Sequence, residues 1–221
     1  MPPELRIRQH AEMRIAVVVF PGADDLDVFG PFEVLANAAR AGCPVEISLV
    51  GAHGVEPVRT FHGATVTPDR TLAGPPAPEL VVVPGGAFND PAPDGARAEA
   101  RRGALPALLR ELHAGGATLA SVCTGAGILA ATGLLAGRPV ATHHRARDEV
   151  AAAGADVRDA RVVDDGDLLS CGGVTAGLDL GLHLVRRTWG AGVAMAIAAE
   201  IEYEPTGSVH LGPRAPTPDS S

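Results

Sequence analysis

The residues best suited to chemistry lie in the segment SVCTGAG, residues 121–127. An apolar run, Ala117 to Val122, ends at Cys123, and after small residues a helix-like segment follows, Ile128 to Leu135. A cysteine between a buried strand and a helix is lifted out of the sheet, so its thiol faces the free amides of the helix N-terminus. Because those amides favour a negative charge, we predict a nucleophile elbow whose thiol pKa falls from about 8.5 to about 4–7.

Two other segments follow predicted strands: FPGADDLD at residues 20–27 and VPGGA at residues 83–87. In parallel α/β sheets, ligands bind at the C-terminal edge of the strands. Asp27 could place a carboxyl group beside the sulfur, where desolvation keeps it protonated and able to deliver a proton; its other interpretation is a helix cap or a solvated acid. We expect Gly85 and Gly86 to bring a backbone amide close to a substrate. The Thr124 amide is the expected second donor, and its hydroxyl could hold a water.

The remaining cysteines and histidines give weaker signals. Cys43 is interpreted as core packing. Cys171, on a short predicted strand before two glycines, is interpreted as either a small core residue or a nearby oxidisable thiol. His143 and His144 follow another short predicted strand, where they could orient the thiolate, line the pocket or belong to an ordinary polar loop. The other histidines show no metal-ligand spacing, so no metal is expected.

Composition excludes several classes of function. The chain has 221 residues, 46% of them hydrophobic, and a net charge of -8 that argues against nucleic-acid binding. No apolar run approaches the roughly 18–20 residues of a membrane span. All 18 basic residues are arginine, which removes lysine Schiff-base chemistry and a P-loop lysine. Three scattered cysteines do not form a disulfide framework, and the N-terminus has no signal-peptide core, so a reducing cytoplasm is the expected location.

Alternating strands and helices predict an α/β fold with an open, mostly parallel sheet covered on both faces. The predicted strands are Arg14–Phe20, Pro44–Val50, Leu80–Val83, Ala117–Val122, Pro139–Ala141, Arg161–Val163 and Leu168–Cys171. The predicted helices are Leu26–Arg40, one within Gly95–Gly115, Ala146–Ala153, Thr175–Trp189 and Ala191–Tyr203. One domain over residues 13–206 is expected, after a flexible N-terminus, 1–12, and before a disordered tail, 207–221. The segment Gly51 to Ala73 is expected to form a β-hairpin or arm.

With these motifs together, the chain resembles the ThiJ/PfpI superfamily, and within it the isonitrile (isocyanide) hydratases. The resemblance is carried by FPGADDLDVFGPFEVL (20–35), VVVPGG (81–86), SVCTGAGILAATGLLAGRPVATHH (121–144), LLSCGGVTAGLDLGL (168–182) and IEYEP (201–205). It implies a flavodoxin-like three-layer sandwich, a homodimer and a reaction without a cofactor.

The resemblance also implies roles for individual residues. The nucleophile falls on Cys123, the acidic partner on Asp27, the hydratase-type threonine on Thr124 and the oxyanion amide on Gly86. Protease-like members have a histidine directly after the nucleophile, so Thr124 argues against peptidase activity, and an aspartate rather than a glutamate at position 27 favours the hydratases. The chain departs from the hydratase pattern at His144, where an aromatic residue is frequent, and at Cys171, where glycine is common.

The sequence therefore predicts a cysteine hydro-lyase that adds water to an isonitrile and gives an N-substituted formamide. One alternative is a small-molecule sensor related to the amino-terminal half of AraC-type regulators, although no DNA-binding half follows Tyr203 in this sequence. A glyoxalase-like or stress-protective enzyme acting on reactive aldehydes through the same cysteine is another. Oxidation of a reactive Cys123 is a possible side role.

Overall fold

The computed structural model describes residues 12–88 and 93–216, and a central sheet of eight strands organises this part of the chain. The strands of this sheet are β1 (Met13–Val19), β2 (Val45–Gly51), β5 (Arg70–Thr71), β6 (Leu80–Val83), β7 (Thr118–Ser121), β10 (Val162–Asp164), β11 (Leu168–Cys171) and β12 (Val209–Leu211). Two small sheets accompany it, β3 (Val58–Arg59) with β4 (Thr65–Val66) and β8 (Pro139–Val140) with β9 (Asp156–Val157).

The strand order in the central sheet is β12-β10-β11-β7-β6-β1-β2-β5. The six strands from β11 to β5 are parallel, whereas β10 is antiparallel to β11 and carries β12 parallel to itself at the edge. The mostly parallel sheet predicted from the sequence is therefore confirmed. As a consequence, the loops after β1, β6, β7 and β11 emerge at one common edge.

The helices form two groups. They are α1 (Asp25–Arg40), α2 (Ala96–Arg102), α3 (Ala104–Ala114), α4 (Gly125–Ala130), α5 (Arg147–Ala152), α6 (Ala176–Trp189) and α7 (Ala191–Glu200), with one 3-10 turn at His144–Ala146. The first, sixth and seventh helices contact one another, and α2 to α5 form a second connected group. The sheet between them completes a three-layer sandwich. Within the described ranges, no helix is long and apolar enough to cross a bilayer.

The core is built on β1, whose residues Ile15 to Val19 are buried on both faces. A continuous run of β-branched residues suits a central parallel strand, because helices cover both of its faces. Helix α1 begins directly afterwards because Asp24 caps it: Asp24 Oδ1 accepts hydrogen bonds from the amides of Leu26 at 3.1 Å and Asp27 at 3.4 Å. Strand and cap together fix the third helical residue, Asp27, above the sheet edge.

Two details differ from the prediction. The single helix expected within Gly95–Gly115 is two helices, because Gly103 adopts a left-handed conformation (φ +76°) and ends α2. The tail expected to be disordered contributes strand β12, which pairs with β10. A strand of three residues is too short to be predicted from sequence pattern. Contacts with residues distant in sequence hold β12 in place, including the hydrogen bond from the Arg214 amide to Asp165. Residues 1–11 and 217–221 lie outside the described ranges.

The expected hairpin or arm in Gly51–Ala73 is confirmed as the β3–β4 hairpin. It lies on the turn that precedes α1, because the Phe61 amide donates to the Ala23 carbonyl at 2.8 Å. The hydroxyl of Thr60 and the amide of His62 both donate to the carboxylate of Asp25. The hairpin thus steadies the turn from which Asp27 projects.

The contact between α1 and α6 depends on glycine. A Cβ at Gly181 would lie 2.9 Å from the Val34 Cβ, so Gly181→Ala must push the two helices apart. We expect it to lower the free energy of unfolding by about 1–2 kcal/mol after its gain in helix propensity is included. The control is Gly192→Ala in α7, where a Cβ meets no atom within 4 Å, and its stability should be unchanged or higher. Urea denaturation measures both, and equal stability of the two variants would contradict the packing account.

Candidate active site

Cys123 lies at a sharp turn between β7 and α4 and has a positive φ of 59°. Non-glycine residues rarely adopt this conformation because it is strained by about 1–3 kcal/mol, and such strain concentrates at functional sites. Hydrogen bonds on both sides hold it: the Cys123 amide donates to the Gly172 carbonyl at 3.0 Å, and the Cys123 carbonyl accepts from Thr142 Oγ1 at 2.8 Å. The predicted elbow is confirmed as a backbone geometry.

Asp27 is completely buried, and its two carboxyl oxygens differ in their surroundings. Oδ2 accepts a hydrogen bond from the Gly85 amide at 2.9 Å. Oδ1 is buried and has no hydrogen-bond partner among the described residues. Since a buried carboxyl oxygen without a partner is costly, this atom points to a proton or a ligand that the site must supply. The cap interpretation of Asp27 is wrong, because Asp24 caps α1.

The two glycines after β6 act differently from the prediction. We expected Gly85 and Gly86 to direct an amide at the substrate, but the Gly85 amide donates to Asp27 and the Gly86 amide donates to Thr124 Oγ1 at 3.0 Å. A Cβ on Gly85 would collide with Thr124 and lie 2.9 Å from Asp27 Oδ2. These residues therefore position the acid and the threonine. The Gly86 amide, which the resemblance assigns to an oxyanion, is engaged by the Thr124 hydroxyl in this structure.

Burial controls the protonation of the pair. It raises the pKa of Asp27 from 3.8 to about 7, and the negative charge of Asp24 adds to this effect. Burial, followed by the nearby Asp27 carboxylate, raises the pKa of the Cys123 thiol to about 12, although the amides of Val174 and Thr124 oppose the shift. This direction is opposite to the fall in thiol pKa that the sequence predicts. It makes Asp27, rather than Cys123, the member of the pair whose pKa lies nearer neutral.

A loop that the sequence analysis did not select completes the elbow. Val174, with a positive φ of 41°, directs its amide toward the Cys123 sulfur. This loop follows β11 and is anchored by the Gly172 amide, which donates to the Arg161 carbonyl at 3.0 Å. The pair Gly172-Gly173 directly after a predicted strand was the signal that could have revealed it, because that strand ends at the same sheet edge.

The loop is braced from behind by an ion pair. The Arg161 guanidinium donates to the Asp179 carboxylate at 2.7 Å and to Thr175 Oγ1 at 2.9 Å. Tyr203 adds a hydrogen bond from its hydroxyl to the same carboxylate at 2.8 Å. Thr175, Asp179 and Tyr203 lie in motifs that carry the family resemblance, but their contact with Arg161 joins separate segments and could not be predicted from the sequence.

His143 lies beside the elbow. Its amide donates to the Cys123 carbonyl at 3.3 Å, and its Nδ1 accepts from the Arg145 amide. The ring packs against Gly173 and lies beside the His144 ring, with centroids 4.1 Å apart. Burial lowers the pKa of His143 from its ordinary value, and the positive charge of Arg145 adds to this. Within the described ranges, no group of three His, Cys, Asp or Glu side chains could hold a metal ion.

The raised pKa of Asp27 links stability to pH. The folded protein keeps this proton up to about pH 7, whereas the unfolded chain loses it near pH 3.8, so the free energy of unfolding falls as pH rises through this window. Asp27→Asn removes the effect and should gain stability relative to the parent, reaching on the order of 4 kcal/mol at pH 8. Urea titrations of both proteins from pH 4.5 to 8 test this (~0.5 pH steps suffice). Parallel curves for the two proteins would contradict a buried, titrating Asp27.

Comparison with known proteins agrees with this geometry. The model of the DJ-1/PfpI family matches residues 13–187. The chain is 33% identical to an isonitrile hydratase from Pseudomonas putida over 87% of this chain and 79% of that protein. It is 28% identical to the Parkinson disease protein 7 homolog of Danio rerio over 86% of this chain and 97% of that protein. A crystal structure of a ThiJ/PfpI family protein from Pseudomonas syringae superposes with a TM-score of 0.79 and 29% identity, covering 100% of this chain and 86% of that one. The chain therefore belongs to the DJ-1/PfpI family.

Proposed function

We propose that this protein hydrates an isonitrile to an N-substituted formamide, with Cys123 as nucleophile and Asp27 as proton shuttle. One observation carries the proposal: a fully buried carboxyl group with an unpartnered oxygen lies close enough to the thiol for each to shift the pKa of the other. The 33% identity to an isonitrile hydratase supports this choice of substrate.

The first step joins sulfur to the substrate. The Asp27 carboxylate accepts the thiol proton while the Cys123 sulfur attacks the terminal carbon of the isonitrile. The electron pair that remains on that carbon takes the proton back from Asp27, which gives a neutral thioimidate. Because the thiol pKa is about 12 and that of the acid about 7, the sulfur is deprotonated only as it attacks, so proton transfer and bond formation are coupled.

The second step uses water. The Thr124 hydroxyl, whose oxygen accepts from the Gly86 amide, can donate its hydrogen to a water or to the substrate nitrogen. The Asp27 carboxylate takes a proton from that water as its oxygen attacks the thioimidate carbon, and delivers this proton to the substrate nitrogen. The remaining hydroxyl proton then passes through Asp27 to the departing sulfur as the carbon–sulfur bond breaks and the C=O bond of the formamide forms. Asp27 ends as it began, so the cycle needs no further reactant.

Access to the sulfur suits a slender electrophile. Cys123 is 6% exposed, which admits the narrow terminal carbon of an isonitrile more easily than a peptide carbonyl with substituents on both sides. Phe61, 48% exposed on the β3–β4 hairpin, lies over the turn before α1, with its amide bonded to Ala23.

Removal of the nucleophile is the first test. Cys123→Ala should abolish formamide production from simple alkyl and aryl isonitriles, because no sulfur remains to form the thioimidate. Cys43→Ala is the matched control, since Cys43 is half-buried and distant along the chain, and it should keep parental activity. Chromatography with mass detection measures the formamide. Activity retained by Cys123→Ala contradicts the proposal. So does conversion of methylglyoxal to lactate without isonitrile turnover, or saturable ligand binding with no turnover of any electrophile.

The pH profile tests the role of the acid. Asp27 must be ionised to take the thiol proton, so kcat/KM should rise with pH, about tenfold per unit below pH 7, and level off above it. Asp27→Asn should lower kcat/KM by about 10²–10⁴-fold and remove this inflection. Initial rates from pH 5 to 9 measure both effects (about 0.5 pH spacing). If kcat/KM of the parent rises only above pH 8, ionisation of the thiol controls the rate, and this would contradict the role of Asp27 as proton shuttle.

A further inference from the structure

The third cysteine lies beside the reactive one. Strand β11, which ends at Cys171, is the parallel neighbour of β7, with Ser170 opposite Ser121. The next residue of each strand, Cys171 and Val122, therefore stand opposite each other and face the same side of the sheet. Val122 faces α6, because its Cγ1 lies 3.4 Å from the Cβ position of Gly177. Cys171 thus faces the side covered by α1 and α6, the side from which Asp27 enters.

The separation of the two cysteines suits a covalent bond. Neighbouring strands lie about 4.8 Å apart, and the Cys123 amide lies within hydrogen-bond reach of the Cys171 sulfur, so the two residues are in contact at the ends of β7 and β11. Disulfides form at Cα separations of roughly 4.4–6.8 Å. The 3.0 Å hydrogen bond from the Cys123 amide to the Gly172 carbonyl confirms that the elbow is held against this end of β11. The positive φ of Cys123 takes its side chain out of the regular alternation of β7.

We propose that Cys123 and Cys171 form a reversible intramolecular disulfide when a hydroperoxide oxidises the site. Of these two cysteines only Cys123, 6% exposed, can meet the oxidant, and Cys171, which is completely buried, reacts only with its neighbour. The Asp27 carboxylate beside Cys123 takes the thiol proton as that sulfur attacks, so a thiol with a raised pKa can still react. The difference in access fixes the order of events.

The chemistry balances with peroxide as the sole oxidant. The Cys123 sulfur attacks the O–O bond, which breaks, and gives a sulfenic acid and one water. The Cys171 sulfur then attacks the Cys123 sulfur, the S–O bond breaks, and a second water carries away the hydroxyl and the Cys171 proton. Asp27 Oδ1, buried and without a partner among the described residues, relays that proton. The two thiols lose two electrons together and the peroxide gains them. The disulfide protects Cys123 from irreversible oxidation to the sulfinic acid.

The test counts thiols in the full chain after treatment with hydrogen peroxide. The parent has three cysteines. After one equivalent of peroxide it should lose two thiols, and a reductant should restore both. Peptide mapping without reduction should show the peptides of Cys123 and Cys171 joined, with a mass loss of two hydrogens. Cys43→Ala should lose the same two thiols, because Cys43 takes no part.

The Cys171→Ala variant distinguishes disulfide formation by Cys171 from oxidation of Cys123 alone. It should lose only the Cys123 thiol, which proceeds to sulfinic acid and is not restored by a reductant. The disulfide-linked peptides are detected in the parent, so that result holds even if the Cys171→Ala variant does not fold. The proposal is overturned by sulfinic acid at Cys123 in the parent without a joined pair, by no loss of thiols, or by a disulfide to Cys43 or to a second chain. No isonitrile is used, so this result stands apart from the hydratase test.

Discussion

The active site depends on one buried pair, the thiol of Cys123 and the carboxyl of Asp27. Both groups are removed from water, and the charge of either disfavours ionisation of the other, so near neutral pH the pair holds at most one negative charge. Desolvation outweighs the hydrogen bonds from the amides of Gly85, Val174 and Thr124. The result is a carboxyl group with a pKa raised to about 7, beside a thiol whose pKa is raised as well.

The rest of the sheet edge holds this pair in place. The loop after β6 supplies the amides of Gly85 and Gly86 to Asp27 and Thr124, and the loop after β11 supplies the Gly172 carbonyl to the Cys123 amide. Each of these bonds comes from an element adjacent in the sheet but distant in sequence. Because the surroundings hold the elbow from several sides, the strained conformation of Cys123 persists at the cost of stability elsewhere. A loose elbow would lose its alignment with the acid.

The main features of this site could be predicted from sequence because they are local. A cysteine that ends an apolar run and an acid in the first turn of a helix are patterns within about ten residues, and the parallel sheet brings Cys123 and Asp27 together. The direction of the thiol pKa could not be predicted, because it depends on how deeply neighbouring elements bury the sulfur. The same limit applies to Val174, whose amide reaches the site through a turn that Arg161, just before β10, braces. Strand β12 was not predicted for a related reason, since partners distant in sequence, such as Asp165, hold it in place.

The protonated thiol at rest agrees with the chemistry of a neutral substrate. A thiolate paired with a histidinium would place two permanent charges in the site, and a neutral ligand would then have to displace the water that stabilises them. In the hydration we propose, a single negative charge moves from the Asp27 carboxylate to the sulfur to the substrate carbon and returns, so the net charge of the site stays constant. No charge crosses into the low-dielectric interior during the reaction, so the barrier lacks that solvation cost. A pKa near 7 at Asp27 fits this arrangement, because a base of that strength is ionised when it is needed and releases the proton readily afterwards.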